Sequence, residues 1–415
     1  MNLENTLKKV KSASQELLLK EDKNINHVLV TLANSLIKHS GKILKANAKD
    51  LKTIDKNDSI YDRVLLDESR IKDMAKSLKI IAKYKSPTNQ ILEKKKLENG
   101  LKLEKVSVPL GVIGAIFEAR PNVIIDIFAL CLKSQNSCVL KGGSQAVNSY
   151  KELIDLIHES LKKNGFKKEV AVLLPNDRKI TNELFKADEY LDLIIPRGSQ
   201  KLIEYVRENS KIPVIETGAG VVHTFMDETA NVKMTEDIIY NAKTNRPSVC
   251  NALDTLLVHE KRLKDLSKVC GKKLIESGVE IFACSKSFYE LKNTYPKSLL
   301  KKAKKEHFGK EYLGMQMSVK VVKNLDEVIE HINLFSSKHS EAIITKNKKN
   351  ADKFLKQIDA AAVYVNTSTR FTDGEVFGLG AEIGISTQKL HARGPMGIKE
   401  LTSYKWKIVG SGQIR

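Results

Sequence analysis

Val112-Ile113-Gly114-Ala115-Ile116-Phe117 is a short unbroken apolar run, and after Glu118-Ala119-Arg120-Pro121-Asn122 the chain continues as Val123-Ile124-Ile125-Asp126-Ile127-Phe128-Ala129-Leu130-Cys131-Leu132, then Ser137-Cys138-Val139-Leu140. A strand-length run, a longer apolar stretch after a proline turn and a second short run read as strand, helix, strand. The alternation continues outward, with apolar runs at Val170 to Leu174, Leu191 to Ile195 and Pro213 to Ile215. Between them lie helical stretches at Ser144 to Lys162, Arg178 to Lys186 and Gln200 to Arg207. Such repetition makes a parallel sheet covered on both faces, in which ligands bind at the carboxyl ends of the strands.

Upstream, the first ninety or so residues read as a helical flank, with Leu29, Leu32 and Leu36 spaced for one helix face. Downstream, a second alternating set runs through Thr255 to Val258, Val279 to Phe282, Met317 to Val322, Ala342 to Thr345 and Ala361 to Val365. Two further segments, Leu101 to Val106 and Tyr404 to Val409, alternate polar and apolar residues like half-buried strands. Lying outside both α/β sets and far apart in sequence, they are expected to pair as an arm that joins subunits.

At 415 residues the chain exceeds what one core fills, so at least two domains are expected. Its 41% apolar and 29% charged content is that of a soluble globular protein, and no apolar run reaches the roughly 18 residues of a membrane helix. The start of the chain carries Glu4 early and lacks the apolar stretch of a secretion signal, so cytoplasmic residence is expected. Five cysteines, Cys131, Cys138, Cys250, Cys270 and Cys284, show no C-x-x-C spacing, and the histidines show no metal-ligating pattern. Free thiols and no metal are expected. The formal charge of +20 comes mostly from dispersed lysines without an aromatic stacking motif, which argues against nucleic acid. A positive field of that kind gathers anionic small molecules.

Gly378-Leu379-Gly380-Ala381-Glu382-Ile383-Gly384 has dinucleotide-fingerprint spacing but neither a strand before it nor a helix after it, and reads as a loop bordering a site. Gly218-Ala219-Gly220 fails likewise, because Val221 to Phe225 reads as a strand. Cys250, in Asn245-Arg246-Pro247-Ser248-Val249-Cys250-Asn251, stands between a helical stretch from Val232 to Ala242 and the buried run at Thr255. A loop before a buried strand presents a side chain rigidly, and Arg246 and Lys243 are nearby cations that could favour a thiolate.

Several stretches resemble the aldehyde dehydrogenase superfamily in its own order: Val108 to Gly114, Ala119-Arg120-Pro121-Asn122, Val139-Leu140-Lys141, Glu216-Thr217-Gly218 and Cys250. Arg246 to Asn251 and Gly378 to Gly397 further resemble the branch of that superfamily that reduces L-glutamyl 5-phosphate. The resemblance implies an α/β fold of two Rossmann-like parallel-sheet domains with a small oligomerisation arm. It implies an NADP-binding domain at 1–223, with 99–108 contributing to the arm, a catalytic domain at 224–395 and a return strand at 396–415. Cys250 is expected as nucleophile, Asn122 as side-chain donor to the carbonyl oxygen and Glu216 in a supporting role. Lys141, Ser144, Gly198, Ser199 and Glu311 are expected to hold the cofactor. NADPH is favoured because Ser144 stands where many NAD-using relatives carry a glutamate that would repel a 2′-phosphate. Arg120, Arg246, Arg370 and His223 are expected to contact substrate, since fixed cations suit a carboxylate and an acyl phosphate.

The implied reaction is NADPH-dependent reduction of L-glutamyl 5-phosphate to L-glutamate 5-semialdehyde and phosphate, in proline biosynthesis, through a Cys250 thioester. A homo-oligomer is implied, with glutamate 5-kinase a candidate partner. Two departures from the family pattern, Val221-Val222 and Glu375-Val376, fall near the expected substrate contacts. The rival readings are a phosphate-independent aldehyde dehydrogenase that hydrolyses its thioester with Glu216 as base, and a non-catalytic basic binding protein of the same fold.

Overall fold

The structure, a computed structural model, describes residues 2–56 and 58–415, with only the backbone of Ser59. Two units divide it: Met1–Thr217 with Gly378–Gly384 and Pro395–Arg415, and Gly218–Phe377 with Ile385–Gly394. The first opens on helices α1 (Leu3–Leu17), α2 (Asp22–Lys38), α3 (Ser40–Leu51), α4 (Ser59–Val64) and α5 (Glu68–Lys83). Strands β1 (Ile91–Lys96), β2 (Lys102–Pro109) and β3 (Val112–Phe117) follow, then α6 (Val123–Lys133), β4 (Ser137–Gly142) and α7 (Val147–Lys163). The set closes with β5 (Ala171–Leu173), α8 (Arg178–Leu184), β6 (Leu193–Arg197) and α9 (Gln200–Asn209).

β5, β4, β3 and β6 lie in that order in one parallel sheet. Every side chain of β3 is buried, as a run apolar on both faces requires. Leu3, Leu7 and Val10 of α1 pack with Val112, Ile116 and Val139 over one face. The helical flank is part of this unit, because α2, α5 and α7 enclose α6 almost completely. That enclosure includes Lys133, fully buried, whose Nζ donates to Asp22 Oδ1 and Asn26 Oδ1 of α2, each at 2.6 Å. A buried ammonium so held ties the flank to the sheet, since removing one partner of such a pair typically costs about 3–5 kcal/mol.

The strand expected at Leu191 starts two residues later because Asp192 does other work: its Oδ2 accepts the Val112 N–H at 2.8 Å and caps β3. Pro213 to Ile215 makes one bridge, Ile194 to Val214, and no strand, since proline brings no N–H to a ladder. β1, with its lysine-rich Glu93-Lys94-Lys95-Lys96, gave no strand signal and forms by pairing antiparallel with β2. The carboxyl-terminal strand Thr402–Val409 pairs with the other edge of β2, as expected of the arm. Its side chains are exposed on both faces apart from the partly covered Thr402, where a half-buried strand was expected.

The second unit runs through β7 (His223–Met226), α10 (Val232–Thr244), β8 (Thr255–His259), α11 (Leu266–Val269), α12 (Lys272–Glu276) and β9 (Glu280–Ala283). It continues with α13 (Ser285–Leu291), β10 (Leu300–Lys302), β11 (Gln316–Val322), α14 (Leu325–Phe335), β12 (Ser340–Ile344), α15 (Lys348–Gln357) and β13 (Ala362–Val365). Its seven strands are parallel, in the order β10, β9, β11, β8, β7, β12, β13. One apolar core, around Leu256, Val258, Val319 and Ile281, lies between the sheet and α10 to α13. Another, around Phe225, Leu257, Ile343 and Phe354, lies under α14 and α15. No helix among the described residues is long and apolar enough to cross a membrane.

Candidate active site

In the second unit the chemistry collects at the amino ends of the strands. α10 ends at Thr244, and the chain turns through Asn245 to Asp254 before entering β8. The turn is pinned from several sides: Leu253 N–H donates to Ala242 O at 2.9 Å, Thr369 Oγ1 to Asn251 O at 2.8 Å and Asn251 Nδ2 to Thr372 O at 2.7 Å. Cys250 sits on it partly exposed, while Cys131 and Cys270 are fully buried and held far above the ordinary thiol range by desolvation. Cys284 is also partly exposed, at the start of α13, so what sets Cys250 apart is its place on the pinned turn.

Arg370 accompanies it. Its guanidinium donates to Asn251 Oδ1, and burial, then the like charge of Arg246, lower its pKa, against which Asp373 and the Cys250 sulfur act. Arg370 thus lies within electrostatic reach of both Arg246 and the Cys250 sulfur. Lys243 is fully buried, its Nζ donates to Leu253 O at 2.8 Å, and desolvation lowers its pKa. A lysine inside the core serves the loop and not the sulfur.

Behind Cys250 runs Gly218-Ala219-Gly220. A Cβ on Gly220 would fall 1.5 Å from the Cys250 carbonyl oxygen, so the two backbones touch and only glycine fits. The Gly220 N–H donates to Glu311 Oε1 at 2.8 Å, which joins the expected ribose contact to the nucleophile loop. His223 is placed elsewhere. Fully buried on β7, its Nδ1 lies 3.1 Å from Glu341 Oε2 in the interior, and it does not join the group around Cys250.

The first unit carries its polar groups at the carboxyl ends of the strands, as the rule for parallel sheets expects. Past β3, Ala119 has φ +42°, a left-handed turn unusual for alanine that starts the Arg120-Pro121-Asn122 bend into α6. Asn122 Nδ2 donates to Asp126 Oδ2 at 3.1 Å. Burial pushes the Asp126 carboxyl up to about 6, opposed by Asn122, Arg197 and Arg120. At the end of β4, Lys141 Nζ donates to Asn176 Oδ1 at 3.0 Å. Burial and the like charge of Arg178 lower its pKa.

Lys141, Ser144, Asn176, Arg178 and Glu118 line one cleft of about 400 Å³. At its edge α9 starts: Ser199 caps the helix, and its N–H donates to Glu118 Oε2 at 2.7 Å. A carboxylate therefore rests on the N–H that the resemblance gives to a cofactor phosphate, which shows that the position takes an oxyanion. A Cβ on Gly198 would meet that carboxylate at 2.4 Å, so a larger residue there would displace the Glu118 side chain. Glu216, half-buried, lies 3.5 Å from Arg207 Nη1.

Glu118, Asn176 and Arg178 were missed in the sequence because the first two read as ordinary polar loop residues and the third as the start of a helix until the strand ends are brought together. Among the described residues no group of three or more His, Cys, Asp or Glu side chains is placed to hold a metal.

Comparison with known proteins agrees with this arrangement. The family model described as the aldehyde dehydrogenase family matches residues 14–280 and 296–406, and the chain belongs to that family. It is thus an oxidoreductase of a family that works with a nicotinamide cofactor. Several curated relatives matched over nearly the full length are named gamma-glutamyl phosphate reductase. The gamma-glutamyl phosphate reductase of Chlorobium chlorochromatii is 53% identical over 403 residues, covering 97% of this chain and 96% of that one. The protein of the same name from Bacteroides thetaiotaomicron is 52% identical over 414 residues, covering 100% and 99%. Among solved structures, the gamma-glutamyl phosphate reductase of Thermotoga maritima superposes with a TM-score of 0.94 at 41% identity over 100% of both chains.

Proposed function

We propose that the chain reduces L-glutamyl 5-phosphate to L-glutamate 5-semialdehyde, with Cys250 carrying the acyl group. The observation that carries this reading is the presentation of Cys250: a partly exposed cysteine on a pinned turn within electrostatic reach of Arg370, in a chain about half identical to gamma-glutamyl phosphate reductases over nearly its whole length. The thiolate attacks the acyl carbon, the carbon–oxygen bond to phosphate breaks and a thioester forms on sulfur. Arg370 and Arg246 draw in the anionic substrate and offset the charge of the leaving phosphate. The family resemblance gives Asn122, its amide oriented by Asp126, the role of donor to the carbonyl oxygen as it gains charge. A nicotinamide cofactor held by the first unit's residues would supply one hydride for the thioester carbon. Breakage of the carbon–sulfur bond then releases aldehyde and restores the thiolate. No water is activated, so Glu216, beside Arg207, keeps a supporting role.

NADPH fits the first unit better than NADH. The cleft brings Ser144, Lys141 and Arg178 together, two cations and a hydroxyl suited to a 2′-phosphate against the one carboxylate of Glu118, and no carboxylate stands at position 144. Gly198 and Ser199 at the start of α9 suit the pyrophosphate, and Glu311 the nicotinamide ribose. The first unit is thus the cofactor domain and the second the catalytic one. The exposed antiparallel arm supports a homo-oligomer, and a labile acyl phosphate calls for a kinase such as glutamate 5-kinase as its supplier.

The test is the reverse reaction: purified protein with glutamate 5-semialdehyde and NADP⁺, with and without inorganic phosphate. Steady NADPH formation that needs phosphate is expected. Equal turnover without phosphate would instead identify a thioester-hydrolysing dehydrogenase.

A further inference from the structure

A buried carboxylate that the reaction does not use stands at the foot of the nucleophile loop. Asp254, 2% exposed, is the last residue before β8. Its two oxygens take N–H groups from two different segments: Tyr312 N–H donates to Oδ1 at 2.9 Å, and Val222 N–H to Oδ2 at 3.2 Å. Tyr312 follows Glu311, and Val222 lies two residues beyond Gly220, whose own N–H donates to Glu311 Oε1. The contacts close a ring: Asp254 holds both backbones from which Glu311 and its partner Gly220 project, and Gly220 in turn lies against Cys250.

Lys243 completes the device from the other side, fully buried and bonded to the carbonyl of Leu253, the residue before Asp254. Burial raises the pKa of Asp254 and lowers that of Lys243, and attraction between the two opposes both shifts. Burying an ionisable pair is costly, and an apolar pair often serves stability equally well. What an apolar pair cannot do is accept two N–H groups at once.

We propose that Asp254 is a positioning residue that acts through Glu311, fixing the carboxylate that receives the nicotinamide ribose, with Lys243 as its counter-charge. The inference rests on the reading of Glu311 as a cofactor contact. Asparagine offers one acceptor oxygen where aspartate offers two, so Asp254→Asn leaves either Tyr312 N–H or Val222 N–H without a partner.

The test is fluorescence titration of NADPH onto the whole protein, as wild type, Asp254→Asn, Glu311→Gln and the double variant. Loss of one buried hydrogen bond is expected to weaken binding in Asp254→Asn about tenfold. The double variant is expected to bind no more weakly than Glu311→Gln alone, since one residue works through the other. Wild-type affinity in Asp254→Asn beside a weakened Glu311→Gln, or losses that multiply in the double variant, would overturn the proposal while leaving the ribose contact standing. Wild-type affinity in Glu311→Gln would remove the ribose reading itself, and this proposal with it. If Asp254→Asn does not fold, Lys243→Met reads the same contact: a loosening of several fold that vanishes in the Glu311→Gln background supports it, and unchanged affinity overturns it.

Discussion

Asn122 and Asp126 show at the scale of single residues how a site is tuned. The Asp126 carboxyl is pushed up to about 6, above its unfolded value of 3.8, so the folded chain holds the proton more tightly than the unfolded one. That contribution to stability is full below about pH 4 and is lost as pH rises through 6. Asp126→Asn, neutral at every pH, is therefore expected to match wild type in apparent Tm at about pH 3 and to exceed it at about pH 8. The gain is about 1–2 kcal/mol, discounted because part of the side chain meets solvent. A difference independent of pH in calorimetric scans would contradict the assignment. Asn122→Ala is expected to lower the rate of phosphate-dependent turnover by about a hundred to a thousand fold, as for other lost oxyanion donors. An effect below tenfold would remove Asn122 from that role. Cys250, Asn122 and Lys141 were legible because their neighbours in sequence form motifs. Asp254, Glu118 and Arg178 were not, because their partners are N–H groups and side chains dozens of residues away.

At the scale of elements, the strands were read where apolar runs are buried on both faces, as in Val112–Phe117 and Thr255–His259. They were misread where a single residue has another task, as with Asp192 capping β3 and Pro213 lacking an N–H. The loops behaved the same way. Gly378 and Gly380 have φ near +75° and lie in irregular chain, so their spacing is that of turns and not of a phosphate cradle. Gly220 is the glycine on which the nucleophile loop depends. Gly220→Ala must push the Cys250 carbonyl away, and a displacement of about 1 Å at a reacting group can cost a hundredfold in rate. A folded Gly220→Ala protein with wild-type turnover would show that the contact does not set the position of the thiol.

For the whole molecule, the arm is the feature that a single chain leaves unexplained. Tyr404, Trp406, Ile408 and Val409 are 43% to 64% exposed on the carboxyl-terminal strand, and Ile91 and Leu92 are similarly open on β1. Apolar side chains on both faces of a three-stranded ribbon are expected to be covered by another copy. Trp406→Glu with Ile408→Glu is expected to reduce the particle mass measured by light scattering, and an unchanged mass would place the interface elsewhere. The alternating pattern of this strand was legible. Its exposure on both faces was not, since alternation in sequence does not report which surface a neighbouring subunit takes.

The account turns on a covalent bond to one sulfur. With glutamate 5-semialdehyde and NADP⁺ but no phosphate, the thioester can form and cannot leave. Mass spectrometry of the intact protein and its peptides is expected to show one glutamyl group per chain on the peptide containing Cys250, released by added phosphate and absent from Cys250→Ala. An unmodified Cys250 in a preparation that turns over when phosphate is present would contradict the mechanism.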